Sequence, residues 1–211
     1  MGRLLWRQAL QHKILPAITF QDAAESIPVA EAILQGGLNI LEIQCRTSAA
    51  FDAISAIRRT FPEMLVGAGT LLQKEHVQQA VNAGAQFGLS PGFNQSVSAA
   101  AIAIDFPFIP GVMTPSEVEL ACATGFHIQK LFPAEQLGGI AFLKALQGPY
   151  SQLPVQFIPM GGVNAQNARA YAQQKNVIAL GGSWLATPDL IAAKQFLQIS
   201  ENVRIALDLV K

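Results

Sequence analysis

Residues 127–135 read HIQKLFPAE, a short apolar strand that carries one lysine and ends at a proline. Because side chains alternate along an extended chain, Lys130 shares one face with Ile128 and Phe132. Burial of an unpaired ammonium group is costly and favours the neutral amine, which is a nucleophile able to form a Schiff base. The alternative is a lysine at a strand end whose ammonium group reaches water.

The same pattern, a short apolar strand followed by a helical stretch, recurs along the chain. The predicted strands cover residues 14–19, 39–44, 65–69, 86–90, 108–111, 127–131, 156–159 and 177–180. Between them lie segments with helical periodicity, such as residues 48–60, where Ser48 is predicted to be the N-cap. Eight such units predict an α/β fold with parallel strands, and their number and length suit a closed (β/α)₈ TIM barrel. An open doubly wound sheet is the alternative, but no GxGxxG motif follows a first strand.

The composition favours one domain that spans residues 1–211. About half of the residues are hydrophobic (51%), only 13% are charged, and the formal net charge is zero. No linker or long charge run divides the chain, and no basic stripe indicates a nucleic-acid partner. The first 13 residues, MGRLLWRQALQHK, lack the apolar core of a signal peptide and are predicted to form an extra N-terminal amphipathic helix.

The expected location is the cytoplasm, without a membrane span. The apolar runs are too short and too interrupted to cross a bilayer. Cys45 and Cys122 form neither a disulfide framework nor a metal-type pair, which fits a reducing compartment. The three histidines lie in different units, so no metal site is predicted.

In a (β/α)₈ barrel the functional residues follow the carboxyl ends of the strands. In the second strand, NILEIQCRT, the alternation directs Glu42 and Arg46 towards the barrel axis. They are expected either to form an ion pair or to take part in chemistry. In the third strand, LVGAGT, Thr70 is expected at the barrel mouth, beside glycines that leave room for close approach.

Paired glycines follow the seventh and eighth predicted strands. These turns contain Gly161–Gly162 and Gly181–Gly182, and the second continues into Ser183. Glycine turns expose backbone N–H groups to an anion, and the loops after strands seven and eight are the recurrent phosphate site of this fold. A phosphate is therefore expected to bind there.

Together these residues predict a pocket for a phosphorylated keto acid. Arg46 and Thr70 would hold its carboxylate, because a guanidinium matches a planar anion. The ketone would then meet Lys130, and Glu42 would transfer protons. The predicted reaction is carbon–carbon bond cleavage with the protonated imine as electron sink.

The motifs LEIQCRT, GAGT, LSPG, FIPGV, QKLFPAE, GPY, MGGVN and GGSW occur in the order and at the intervals typical of bacterial 2-keto-3-deoxy-6-phosphogluconate (KDPG) aldolases. The chain resembles this class I aldolase family, which also acts on 4-hydroxy-2-oxoglutarate (KHG), from about residue 14 to about residue 184. The resemblance implies a homotrimer of (β/α)₈ subunits that belongs to the Entner–Doudoroff route. The implied reaction is reversible cleavage of KDPG to pyruvate and glyceraldehyde 3-phosphate, with no cofactor beyond the covalent lysine imine.

The resemblance also implies individual roles. Lys130 matches the Schiff-base lysine and Glu42 the acid/base carboxylate. The implied substrate-binding residues are Arg46 and Thr70 for the pyruvyl carboxylate, Pro91 and Phe132 for the pocket wall, and Gly161, Gly162, Gly182 and Ser183 for the phosphate.

One position departs from the family pattern, because Met160 stands where a threonine commonly precedes the glycine pair of the seventh strand. Three alternatives stay open. One is an aldolase for the phosphogalactonate epimer, although the PAE and GGSW motifs favour the gluconate branch. The others are a metal-dependent aldolase, which EDTA would inhibit, and a sugar-phosphate-binding barrel without catalysis.

Overall fold

The computed structural model describes residues 10–211, and every recorded strand pair in that range is parallel. The strands are β1 (Ile14–Ile18), β2 (Ile40–Gln44), β3 (Leu65–Gly69), β4 (Phe87–Leu89), β5 (Phe108–Ile109), β6 (Gly111–Val112), β7 (Ile128–Leu131), β8 (Gln156–Pro159) and β9 (Leu180–Gly182). The prediction of an α/β fold with parallel strands is confirmed. Most of the predicted N-terminal helix lies outside the described residues, and residues 10–12 form a turn.

Helices follow most of the strands. They are α1 (Ser26–Gly36), α2 (Ala50–Thr60), α3 (Lys74–Asn82), α4 (Gln95–Ala103), α5 (Pro115–Ala123), α6 (Gly139–Gln147), α7 (Ala168–Ala172), α8 (Pro188–Ala192) and α9 (Phe196–Leu209). Thr114 caps α5 and forms a capping box with Glu117. The predicted N-cap at Ser48 is wrong, because α2 begins at Ala50 and Ala49 occupies the cap position without a side-chain bond. No helix within residues 10–211 has the length and apolarity needed to cross a bilayer.

The strand ladders form a six-stranded sheet in the order β5-β4-β3-β2-β1-β9 and a three-stranded sheet in the order β6-β7-β8. The predicted strand 108–111 is divided because Pro110 has no N–H to donate. The segment on one side of Pro110 pairs with β4 and the segment on the other pairs with β7. The carbonyl of Pro110 itself accepts the N–H of Lys130 at 2.9 Å.

The last predicted strand, 177–180, starts later than expected. Val177 makes only a single bridge to Phe157, and the paired strand is Leu180–Gly182. Residues 176–178, which precede this strand, still contact β8. Phe157 donates its N–H to the carbonyl of Asn176 at 2.7 Å, and its own carbonyl accepts the N–H of Ile178 at 3.0 Å.

Alternation along the strands creates two hydrophobic cores. The larger core lies between the sheets and the helices and includes Leu41, Ile43 and Leu131. A smaller cluster lies on the concave side of the strands. Its buried members are Leu10, Leu15, Ile40, Phe87, Leu89, Ile109, Ile158, Met160 and Ala179. Charged groups on this concave side are therefore surrounded by hydrocarbon.

Candidate active site

Lys130 lies on β7 and points into the concave cluster, as the alternation predicts. Its neighbours on the same face, Ile128 and Phe132, pack against that cluster. The lysine side chain is only 3% exposed, and its Nζ lies 5.4 Å from the centroid of the Phe132 ring. The alternative of a lysine whose ammonium group reaches water is wrong. A buried amine among apolar side chains needs a specific partner.

That partner is Glu42 on β2, which is fully buried. Its Oε1 lies 3.4 Å from Lys130 Nζ. Its other oxygen, Oε2, is buried and has no hydrogen-bond partner among residues 10–211. An unpaired buried carboxylate oxygen is costly, so this atom is positioned to accept a hydrogen bond from a molecule that enters the site. The two groups are close enough to exchange a proton, directly or through one water.

Gly69 at the end of β3 makes space for this carboxylate. A Cβ at this position would lie 2.6 Å from Cδ and 2.7 Å from Cγ of Glu42, so any larger residue would displace this carboxylate. The expectation that β3 glycines permit close approach is met here, because the close neighbour of Gly69 is the Glu42 side chain.

Arg46 and Thr70 meet just beyond the ends of β2 and β3. Arg46 Nε donates a hydrogen bond of 3.3 Å to Thr70 Oγ1. The predicted alternative, an ion pair between Arg46 and Glu42, is not among the ion pairs within residues 10–211. Thr70 has a left-handed backbone with φ of 60°, which is unusual for a residue other than glycine. Arg46 is exposed, so its guanidinium remains accessible to an anion.

Phe132 and Pro91 lie at other strand ends. A Cβ at Gly161 would lie 3.2 Å from Phe132 Cδ2, so the ring that covers Lys130 also contacts the glycine turn after β8. Pro91 follows β4, and its backbone packs so closely on Gly111 that no side chain fits there. Both residues are half-buried.

The glycine turn after β8 lies beside the end of β9. The second glycine pair was predicted to follow its strand, but Gly181 and Gly182 are the last residues of β9 and pair with β1. Gly161 and Gly162 are both left-handed, with φ of 87° and 85°. A Cβ at Gly182 would lie 3.6 Å from the carbonyl oxygen of Val163, so the end of β9 is adjacent to the turn after β8. Within the described residues, no internal acceptor is recorded for the N–H groups of Gly161, Gly162 and Ser183. Unpaired N–H groups at two adjacent strand ends suit an anion.

Two polar pairs near the strand ends escaped prediction. Thr19 donates a hydrogen bond of 2.7 Å to Gln44, between the ends of β1 and β2. The phenol of Tyr171 donates to Glu135, which directly follows the lysine strand and its turn. The sequence signal for Gln44 was its shared parity with Glu42, whereas the partner of Glu135 lies 36 residues away and carries no local signal.

Two further properties complete the chemistry of the site. Burial, reinforced by the charge of Glu42, raises the pKa of Cys45 from 9.0 to about 12, so this thiol stays protonated and unreactive near neutral pH.

Residues 10–211 contain no group of three His, Cys, Asp or Glu side chains arranged to hold a metal ion.

The chain matches known proteins over most of its length. Residues 7–202 match the family model described as "Aldolase: KDPG and KHG aldolase". The 2-dehydro-3-deoxy-phosphogluconate aldolase of Treponema pallidum is 41% identical over 188 residues, which cover 89% of each chain. The KHG/KDPG aldolase of Escherichia coli is 40% identical over 195 residues, which cover 92% of this chain and 91% of that protein.

A solved structure is similar over the same extent. The KDPG aldolase of Legionella pneumophila superposes with a TM-score of 0.88 at 35% identity and covers 91% of this chain and 92% of that one. That crystal structure captured pyruvate as a covalent carbinolamine intermediate.

The parallel β/α fold with a buried lysine–carboxylate pair at its strand ends defines a lyase of the aldolase class. The chain belongs to the KDPG and KHG aldolase family.

Proposed function

We propose that this chain is a class I aldolase that reversibly cleaves KDPG to pyruvate and glyceraldehyde 3-phosphate. It would also cleave KHG to pyruvate and glyoxylate. The single observation that carries the proposal is the buried pair formed by Lys130 Nζ and Glu42 Oε1, 3.4 Å apart. The reaction needs no cofactor, because the protonated imine is itself the electron sink.

In the first step, the neutral amine of Lys130 attacks the C2 ketone of the substrate and forms a carbinolamine. Glu42 accepts and returns protons while the hydroxyl of the carbinolamine leaves as water, which produces an iminium ion. The nucleophile is the neutral form of the amine, and Glu42 Oε1, 3.4 Å from Lys130 Nζ, is placed to accept its proton.

In the second step, Glu42 removes the proton of the C4 hydroxyl, directly or through a water. The C3–C4 bond breaks, its electron pair moves to the iminium to form an enamine, and the aldehyde leaves. The protonated Glu42 then donates its proton to C3 of the enamine, and hydrolysis of the resulting iminium releases pyruvate and regenerates the amine. The unpaired Oε2 of Glu42 supports this role, since it is free to accept a hydrogen bond from the substrate hydroxyl or a water.

The remaining residues bind the two ends of the substrate. Arg46 and Thr70 hold the carboxylate next to the ketone, as their mutual hydrogen bond and the accessible guanidinium suggest. Phe132 and Pro91 line the wall between the two ends. The phosphate is bound by Gly161, Gly162, Gly182 and Ser183. Within the described residues, no internal acceptor is recorded for the N–H groups of Gly161, Gly162 and Ser183, and Gly182 lies beside the turn that contains the first two.

The strands are proposed to close into a (β/α)₈ barrel within one domain that spans residues 1–211. Two observations support closure. β5 and β6 are continuous through Pro110, and Phe157 on β8 forms hydrogen bonds with residues 176–178, which precede β9. The family resemblance further supports a homotrimer that acts in the Entner–Doudoroff route, and the free Cys45 and Cys122 fit a cytoplasmic location.

The test is a comparison of kcat/KM on KDPG, its phosphogalactonate epimer and KHG, with pyruvate formation as the readout. The proposal predicts the highest value for KDPG. A higher value for the epimer would assign the chain to the phosphogalactonate branch, and the absence of pyruvate from all three would favour a non-catalytic sugar-phosphate-binding barrel. The comparison also reveals the effect of Met160, which places a thioether, not a hydroxyl, on the concave side.

A further inference from the structure

Glu135 forms a link between the lysine strand and the glycine turn after β8. It follows β7 by four residues, and its N–H donates to the carbonyl of Gly161 at 3.0 Å. The preceding residue, Ala134, donates its N–H to the carbonyl of Met160 at 2.7 Å. Two backbone hydrogen bonds therefore join the segment that ends the lysine strand to the turn that carries Gly161 and Gly162.

The side chain of Glu135 lies directly against Gly162. A Cβ at Gly162 would lie 2.5 Å from Cγ and 2.6 Å from Cβ of Glu135, so the aliphatic part of the glutamate closes one side of this glycine. From another direction, the side-chain amides of Asn164 and Asn167 both donate to the carbonyl of Gly162, at 3.0 and 3.1 Å. The peptide of Gly162 is thus fixed by three side chains.

Tyr171 holds the glutamate in this position. It lies on α7, the helix that follows the glycine turn, is fully buried, and donates its phenol proton to Glu135 Oε1. Gly139 at the start of α6 leaves space for this contact, because a Cβ there would lie 2.9 Å from Glu135 Oε1 and 3.0 Å from Tyr171 Oη. Burial and the hydrogen bond to Glu135 raise the pKa of Tyr171, so the phenol remains a donor throughout the neutral range.

We propose that Glu135 and Tyr171 form a positioning pair that holds the backbone of Gly161 and Gly162 in the geometry that binds the phosphate of the substrate. Within residues 10–211, no recorded hydrogen bond or ion pair joins this pair to Lys130, whose recorded partner is Glu42. This inference rests on the proposed function, because it assigns the glycine turn to phosphate. Without the phenol, the Glu135 side chain loses its anchor, and the turn that packs on it relaxes.

The test compares Tyr171→Phe with Tyr150→Phe. Tyr150 is a matched control, because its phenol also donates to a glutamate, Glu119, at 2.9 Å, but this glutamate lies on α5 and not beside Gly161 or Gly162 in sequence. The first readout is the Kd for inorganic phosphate, measured by calorimetry on the full chain. Tyr171→Phe is expected to weaken phosphate binding roughly tenfold, a factor that corresponds to the loss of one hydrogen bond between the phenol and the charged Glu135. Tyr150→Phe should leave phosphate binding unchanged.

The second readout separates positioning from general damage. Tyr171→Phe should raise the KM for KDPG by a similar factor with little change in kcat. The rate at which pyruvate forms its imine on Lys130, which involves no phosphate, should stay as in the wild type. Glu135→Ala should reproduce both effects. Because Glu135 is exposed, this variant can replace Tyr171→Phe in the test if the latter folds poorly. Glu135→Gln, which keeps an oxygen acceptor, should restore most of the phosphate affinity.

The inference is overturned if phosphate affinity is unchanged in Tyr171→Phe and Glu135→Ala, if imine formation slows as much as KM rises, or if the wild type binds no phosphate. Failure of the proposed function has a different signature, since the wild type would then form no imine with pyruvate.

Discussion

Replacement of Gly69 by alanine tests whether the position of the Glu42 carboxylate controls the rate. The added Cβ would lie 2.6 Å from Cδ and 2.7 Å from Cγ of Glu42, whereas non-bonded carbon atoms prefer roughly 3.5–4 Å. The carboxylate must therefore retreat by about 1 Å from its place beside Lys130. A misplacement of about 1 Å at reacting groups can reduce the rate about 100-fold.

Gly67→Ala is the matched control. It lies two residues earlier on the same strand, and its added Cβ would meet the ring of Phe87 at 2.5 Å from Cδ2, not the carboxylate. Overpacking at either position is expected to cost about 1–3 kcal/mol of unfolding free energy. Only Gly69→Ala should lose about 100-fold in kcat.

The assay is steady-state cleavage of KDPG with pyruvate detected by lactate dehydrogenase, together with urea unfolding of both variants. A kcat for Gly69→Ala within a few-fold of that for Gly67→Ala, at equal folded fraction, would refute the reasoning about carboxylate position.

Three further predictions concern single side chains. Lys130→Ala should abolish turnover and imine formation while its circular dichroism spectrum remains that of a folded protein; residual turnover measured in purified variant would contradict the Schiff-base route. Glu42→Gln should reduce kcat about 10²–10⁴-fold in single-turnover experiments, yet still form an imine with pyruvate, because the amide keeps the shape but cannot transfer the proton; a full rate would remove Glu42 from the mechanism. Because the pKa of Cys45 is raised from 9.0 to about 12 by folding, the neutral thiol stabilises the folded state below pH 9.0, and this stabilisation is lost as the pH rises towards 12. The unfolding free energy of the wild type should therefore fall with pH above pH 9.0, and Cys45→Ala should reduce the slope of this fall by up to about 1.4 kcal/mol per pH unit. An unchanged slope would contradict the pKa shift.

The directions of Lys130 and Glu42 could be predicted because alternation along a strand is strict. Their flanking residues, such as Leu41 and Leu131, face the helices, so the charged groups must face the concave side. The distance of 3.4 Å between them could not be predicted. The two residues are 88 positions apart in the chain, and their distance depends on how β2 and β7 approach each other across the fold.

Thr70 shows a limit of the same periodicity. Its parity places it with Val66 and Ala68, which are buried on the helix side of β3. The left-handed φ at Thr70 ends that regularity and brings its hydroxyl to Arg46. A positive φ at a residue other than glycine is rare, so no sequence rule indicates it.

Pro110 could have indicated the division of the strand, because a proline cannot donate a hydrogen bond to a ladder. The continuous apolar residues around it favoured a single strand instead. The hydrogen bond between Tyr171 and Glu135 could not be predicted from the sequence, because it depends on the packing of α7 against the turn after β7.

Reductive trapping tests the central claim most directly. The full chain is incubated with pyruvate and sodium borohydride, digested, and analysed by mass spectrometry, with Lys130→Ala treated in parallel. The account predicts that the wild type gains one reduced pyruvyl group on Lys130 and that the variant gains none. Folded wild-type protein that remains unmodified at Lys130, or carries the group on another lysine, would contradict it.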